Sequence, residues 1–187
     1  MPQEYSKVKY SLCRIAFNQE DASFGDSVDT LYNGAANGKS VSFPRISPDG
    51  RFLVFTLQEY GNFSIWHKDA DLWLMNMSTG ETRPLEAANS EDVDSYHSWS
   101  GNSRWLVFSS RRIDGLYTRP FICHIDENGQ ASKPFLLPQR NPLEYYADQM
   151  VSYNLPELME RKVTVSRHKI ANTLRNTSGT DITVKGK

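Results

Sequence analysis

The chain has 187 residues, 39% of them apolar and 12% aromatic, enough for one domain with a buried core. Its 21 Lys and Arg stand against 22 Asp and Glu for a net charge of −1, so the basic excess that drives phosphate binding is missing and no nucleic-acid partner is expected. No run of about 18 apolar residues could span a membrane, and two cysteines, Cys13 and Cys123, make neither a disulfide scaffold nor a Cys-x-x-Cys metal pair.

The N-terminal residues Met1-Pro2-Gln3-Glu4-Tyr5-Ser6-Lys7 are polar and lack the apolar core of a signal peptide; read as a complete chain, the sequence predicts a cytoplasmic protein. Residues 10–17 and 27–32 then read as two strands. They match the third and fourth strands of the units described next, so this first unit (residues 8–35) lacks its opening strands. Cys13 and Cys123 fall at equivalent places in different units. They are expected to be buried free thiols, too far apart for a disulfide, which needs Cα atoms within about 7 Å.

A repeat organises the rest. Ile46-Ser47-Pro48-Asp49-Gly50-Arg51-Phe52-Leu53-Val54-Phe55-Thr56 returns as Trp99-Ser100-Gly101-Asn102-Ser103-Arg104-Trp105-Leu106-Val107-Phe108-Ser109, an offset of 53 residues from Ser47 to Ser100. Each copy has a strand end, a tight polar turn, Arg, an aromatic residue and Leu-Val-Phe. A third strand follows in each, residues 71–77 and 121–126, then a Gly-bearing turn (Thr79-Gly80 and Asn128-Gly129) and a short fourth strand near 82–85 and 133–137. Four antiparallel strands per unit, at a period near the ~40–50 residues of a blade, describe a β-propeller. The middle strands are almost continuously apolar, as strands covered on both faces are.

Ser47-Pro48-Asp49-Gly50-Arg51 with Leu53-Val54-Phe55-Thr56, the Asp71-Leu72-Trp73-Leu74-Met75 strand and the Thr79-Gly80-Glu81 turn resemble the repeat of TolB-like propellers. The resemblance runs from residue 10 to about 138, and its second copy keeps only the turn chemistry. It implies an all-β chain of about two and a half blades: a partial blade at 8–35, then blades at 40–86 and 93–138. Such propellers close with six or more blades, so the chain is expected to be a piece of a longer protein or to complete itself by self-association. The resemblance also implies a protein-docking module of a bacterial cell envelope, periplasmic or carried on an outer-membrane lipoprotein.

Residues 139–171 are expected to cap the last blade. Asn141 and Pro142 mark a helix start, and Leu143, Tyr146, Ala147 and Met150 form a stripe expected to pack on that blade. Residues 163–165 read as a short strand, and residues 172–187 as a disordered tail.

Three long loops, 57–70, 86–96 and 109–119, are expected on one face, where binding sites on rigid scaffolds concentrate. They carry Tyr60, Asn62, Trp66 and His67; Asp94, Tyr96 and His97; and Arg111, Arg112 and Tyr117. Aromatic and Arg side chains are preferred interface anchors, which points to a protein or peptide partner, although ordinary solvated loops carry the same residues. Tyr60 and Arg112 are expected to matter for binding and not for stability. His67, Asp69 and Asp71 alternate and form a weak metal candidate. His97 is expected near the central channel, more as a hydrogen-bonded structural residue than a catalytic one. No Gly-x-Ser-x-Gly, Walker, Gly-x-Gly-x-x-Gly or His-Glu-x-x-His motif occurs, so no enzyme activity and no cofactor are expected. A propeller enzyme or its substrate-gating part, and sugar binding through Tyr60, Trp66 and Tyr117, stand as alternatives.

Overall fold

The computed structural model describes residues 4–177. Strands β1 (Leu12–Asn18) and β2 (Ser23–Tyr32) pair as an antiparallel hairpin. Only its base is packed: Leu12, Leu31 and Tyr32 join Val41, Leu53, Phe55, Leu57 and Met75. Further out, Phe17 and Phe24 touch at 5.1 Å between ring centroids but stay exposed, as do Ile15 and Val28. The second strand begins at Ser23, earlier than its sequence suggested. Cys13 corrects the expectation of two buried thiols: it lies on the projecting hairpin and is exposed, whereas Cys123 is buried.

The two repeat copies form two sheets whose spatial order follows chain order. The first contains β3 (Ser40–Ile46), β4 (Phe52–Gln58), β5 (Asp71–Asn76) and β6 (Thr82–Pro84). The second contains β7 (Asp94–Trp99), β8 (Trp105–Ser110), β9 (Arg119–His124) and β10 (Phe135–Leu136). The polar turns repeat atom for atom. Ser47 and Ser100 accept from the backbone N–H of Phe52 and Trp105, each at 3.0 Å, and donate to Asp49 and Asn102, each at 2.6 Å. Gly50 and its counterpart Ser103 both take positive φ, 74° and 60°; Gly does so without strain, Ser at a cost. Ser103 Oγ also accepts from the Asp49 N–H at 3.0 Å, tying one turn to the next.

Alternation along the strands puts one face of each sheet into a shared core. Phe52, Val54, Leu72 and Leu74 meet Leu106, Phe108, Phe121 and Cys123 there. The opposite face of the first sheet, with Leu53, Phe55 and Leu57, is covered by the hairpin base. Strand β4 is buried along its whole length. Two stacked four-stranded meanders with a hairpin on one outer face make the chain a partial β-propeller.

Helix α1 (Pro142–Ala147) starts at Asn141, whose Nδ2 donates to Glu144 at 2.5 Å. Of the expected stripe only Tyr146 packs, with its hydroxyl donating to the Leu137 carbonyl at 2.8 Å; Leu143 is exposed on a helix of fewer than two turns, and Met150, beyond the helix end, is exposed too. Residues 163–165 form no strand: they pair with no neighbour, and Val163 and Val165 are exposed. Residues 172–176 belong to helix α2 (Arg167–Asn176), capped by Ser166, and not to a tail; residues 178–187 lie outside the described residues.

Candidate functional site

The loops between β4 and β5, β6 and β7, and β8 and β9 are each held by local hydrogen bonds before they meet. A 3-10 turn at Ser64–Trp66 is anchored by a 2.6 Å bond between the Ser64 and Ser95 hydroxyls. The Asn89 side chain accepts from the Leu72 N–H at 2.9 Å and donates to its carbonyl at 3.1 Å, fixing the second loop to β5. Asp114 accepts from the N–H groups of Leu116 and Tyr117, a turn that Asp favours, and Gly115 takes a φ of 68° beside it.

A shallow cleft of about 380 Å³ opens where the three loops converge. Lys68, Glu91, Asp92 and Arg111 line it. Trp66 stands at the edge, 74% exposed, with the Arg111 guanidinium 4.8 Å from its ring centroid. Among the described residues neither Arg111 nor Lys68 has a carboxylate within 4.0 Å, so both cations keep donors for an incoming group. The cleft therefore offers one aromatic edge, two cations and two carboxylates on a fixed frame. That suits hydrogen bonding to a polar chain more than it suits chemistry at one reacting atom.

Other expected binding residues serve the fold. Asp94 is fully buried, and its Oδ1 receives the Arg112 guanidinium at 2.6 Å. Arg112 also donates to the Ala88 carbonyl at 2.6 Å and to Ser110 at 2.9 Å, and lies over Phe121 at 4.6 Å. Burial pushes the Asp94 carboxyl up, against the pull of Arg112 and the Ser110 and Ser90 hydroxyls. Arg112 is thus a strut between the second and third loops, which corrects its reading as a residue that matters only for binding. Tyr60 is corrected likewise: it is half-buried, edge-on to His67 at 4.6 Å and to Tyr5 at 5.6 Å.

His97 is buried, with Nε2 2.9 Å from the Val54 carbonyl and Nδ1 lacking a partner of good geometry. Burial pushes it down to about 4, only partly opposed by the Val54 and Phe43 backbone, so it is neutral at pH 7. Tyr96 packs against Phe43 at 4.4 Å between β7 and β3. Asn62 is exposed, and Tyr117 lies under Arg119 at 5.3 Å. Of the expected residues, Arg111 and Arg112 line the cleft and Trp66 stands beside Arg111 just outside it, while the remaining ones lie elsewhere.

The candidate metal residues do not converge. Among the described residues no group of three His, Cys, Asp or Glu side chains is placed to hold an ion. Asp69 instead pairs with Lys39 at 3.3 Å and stands 3.8 Å from His67 Nδ1. The Asp71 carboxyl is pushed up to about 6 by burial and then by Asp94 and Asp69, with Lys39 opposing.

Lys68 in the cleft escaped sequence reasoning because a loop lysine carries no pattern. So did Arg119, which is 2% exposed and bonds the Gln149 carbonyl at 3.1 Å and Asp114 at 3.3 Å. Its place at the head of β9 was the only available signal, since Arg is rarely buried unless paired.

No family model matches the chain, and no curated protein matches it. Among solved structures it is similar to TolB from Acinetobacter baumannii, with 18% identity and a TM-score of 0.38 over 58% of this chain and 24% of that one. It is also similar to the β-propeller domain of the Trilobed protease from Pyrococcus furiosus, with 16% identity and a TM-score of 0.39 over 67% of this chain and 34% of that one. The chain thus spans 24% and 34% of the length of these two proteins. The partial propeller rests on the two four-stranded sheets.

Proposed function

We propose that the chain is a non-catalytic protein- or peptide-binding propeller module that binds through the long-loop face, in a bacterial cell-envelope protein. The observation that carries this reading is the convergence of three loops on one cleft, where exposed Trp66 stacks with Arg111 beside Lys68, Glu91 and Asp92. Trp and Arg give large contact area and directional donors, the usual anchors of an interface. A catalytic reading lacks support in the groups best suited to it: Asp94 is committed to Arg112, and His97 is sealed from solvent. Sugar stacking on Trp66 is weakened because Arg111 already occupies one ring face. The envelope location rests on the sequence resemblance alone.

Peptides selected from a random display library on the wild-type chain provide the test. Binders should lose most of their affinity for W66A and R111A and keep it for a substitution on the opposite face, such as S78A. Selected peptides that bind W66A and R111A as well as wild type would overturn the assignment of this face.

A further inference from the structure

The second sheet presents its outward face away from the shared core, and a stretch of the C-terminal segment lies across it. Residues 151–160 form no helix or strand, yet residues 152–156 are held to the sheet by a specific set of bonds. Ser109 Oγ donates to the carbonyls of Tyr153 and Asn154 at 2.6 and 3.0 Å, and Ser98 Oγ donates to that of Pro156 at 2.9 Å. The Tyr153 N–H donates to the Thr118 carbonyl at 3.2 Å, and the Thr118 hydroxyl to Asn154 Oδ1 at 3.0 Å. The Thr118 N–H also donates to Ser152 Oγ at 3.3 Å. Four of these six bonds end on backbone atoms of the strap, which any extended peptide possesses. Ser98 and Ser109 come from adjacent paired strands, on either side of the bulge between Ser95 and Ser98, so their hydroxyls reach the strap at two separate points.

The strap itself is lightly held. Val151, Leu155 and Met159 are 62%, 63% and 68% exposed, and only Pro156 and Leu158 are half-buried. A segment with little buried apolar surface opens at low free-energy cost. Its occupancy comes from being tethered, at an effective concentration on the order of millimolar.

We infer that the outward face of the second sheet is a groove for an extended peptide and that residues 152–156 fill it in cis as a displaceable plug. The partner is an extended segment read mainly through its backbone, with side-chain acceptors at the places of Ser152 and Asn154. This groove is separate from the loop cleft and does not rest on the cleft's assignment.

The test uses the full chain and a fluorescent peptide of its own residues 151–160, followed by anisotropy. Tyr153→Pro removes the N–H that bonds Thr118 and loosens the plug without altering the groove. It should bind the peptide about tenfold more tightly than wild type, since the competing plug then fills a smaller fraction of grooves. Adding S109A to Tyr153→Pro should abolish that gain, whereas adding W66A should not. A folded Tyr153→Pro that binds no better than wild type, or binding indifferent to S109A, overturns the proposal. If Tyr153→Pro fails to fold, wild type with excess unlabelled peptide decides: chymotrypsin cleavage at Tyr153 should accelerate several-fold, and no acceleration overturns it.

Discussion

Phe43 and Tyr96 hold the same bulge position in successive sheets, with φ of 50° and 49°, and their rings meet edge to face at 4.4 Å. Left-handed backbone is costly for aromatic residues. The bulge is tolerated twice because each ring supplies the other's packing surface. A double-mutant cycle of F43A and Y96A, read by urea unfolding, should give a coupling of about 0.5–1.5 kcal/mol. Additive losses would mean the two bulges are stabilised independently.

Phe55 and Phe108 are fully buried on the repeated Leu-Val-Phe strands. Each substitution to Ala should cost about 3–5 kcal/mol, because a large cavity opens between covered faces. Their unfolding midpoints should fall by similar amounts; a neutral variant at either site would contradict the equivalence of the two strands.

Arg112→Ala leaves the Asp94 carboxylate buried without its guanidinium. The expected loss is about 3–5 kcal/mol. R112A with D94N should recover much of it, since a neutral amide removes the stranded charge. Trp66→Ala, at an exposed side chain, should change stability little, so the cleft can be probed without unfolding the molecule.

Two groups give opposite pH signatures. The unfolded chain protonates His97 near 6.5, whereas the folded chain resists until about 4. Stability present above pH 6.5 is therefore lost as pH falls through that window, by about 3 kcal/mol at full effect. Asp71 works the other way: its folded carboxyl takes a proton at about 6, before the unfolded one does, so acidification below 6 relieves a cost. Compared with wild type, H97Q should lose stability less steeply between pH 6.5 and 4, and D71N more steeply between pH 6 and 4. Unfolding curves across that range check both signs.

The blades were legible because their signals are local. Ser47, Asp49 and Gly50, and their counterparts Ser100, Asn102 and Ser103, make turn bonds within six residues of one another. The unbroken apolar runs 52–55 and 105–108 declared strands covered on both faces. Loop convergence was partly legible too: long connections on a propeller must share a face, which brought Trp66 and Arg111 into consideration.

What tertiary structure decided was how polar side chains are spent. Nothing in a loop sequence separates Arg111, stacked on Trp66 with donors free, from its neighbour Arg112, consumed by Asp94 and the Ala88 carbonyl. That choice depends on which carboxylate lies within about 4 Å after folding, and burial at that range decides whether an ion pair is structural. The strap shows the same division. The expectation that residues 139–171 cap the last blade named no contacts for residues 152–156, because the bonds that hold them belong to the strap's backbone and to Ser98 and Ser109, residues far away in the chain. Composition and periodicity describe which surfaces must be covered; only the folded chain determines what covers them.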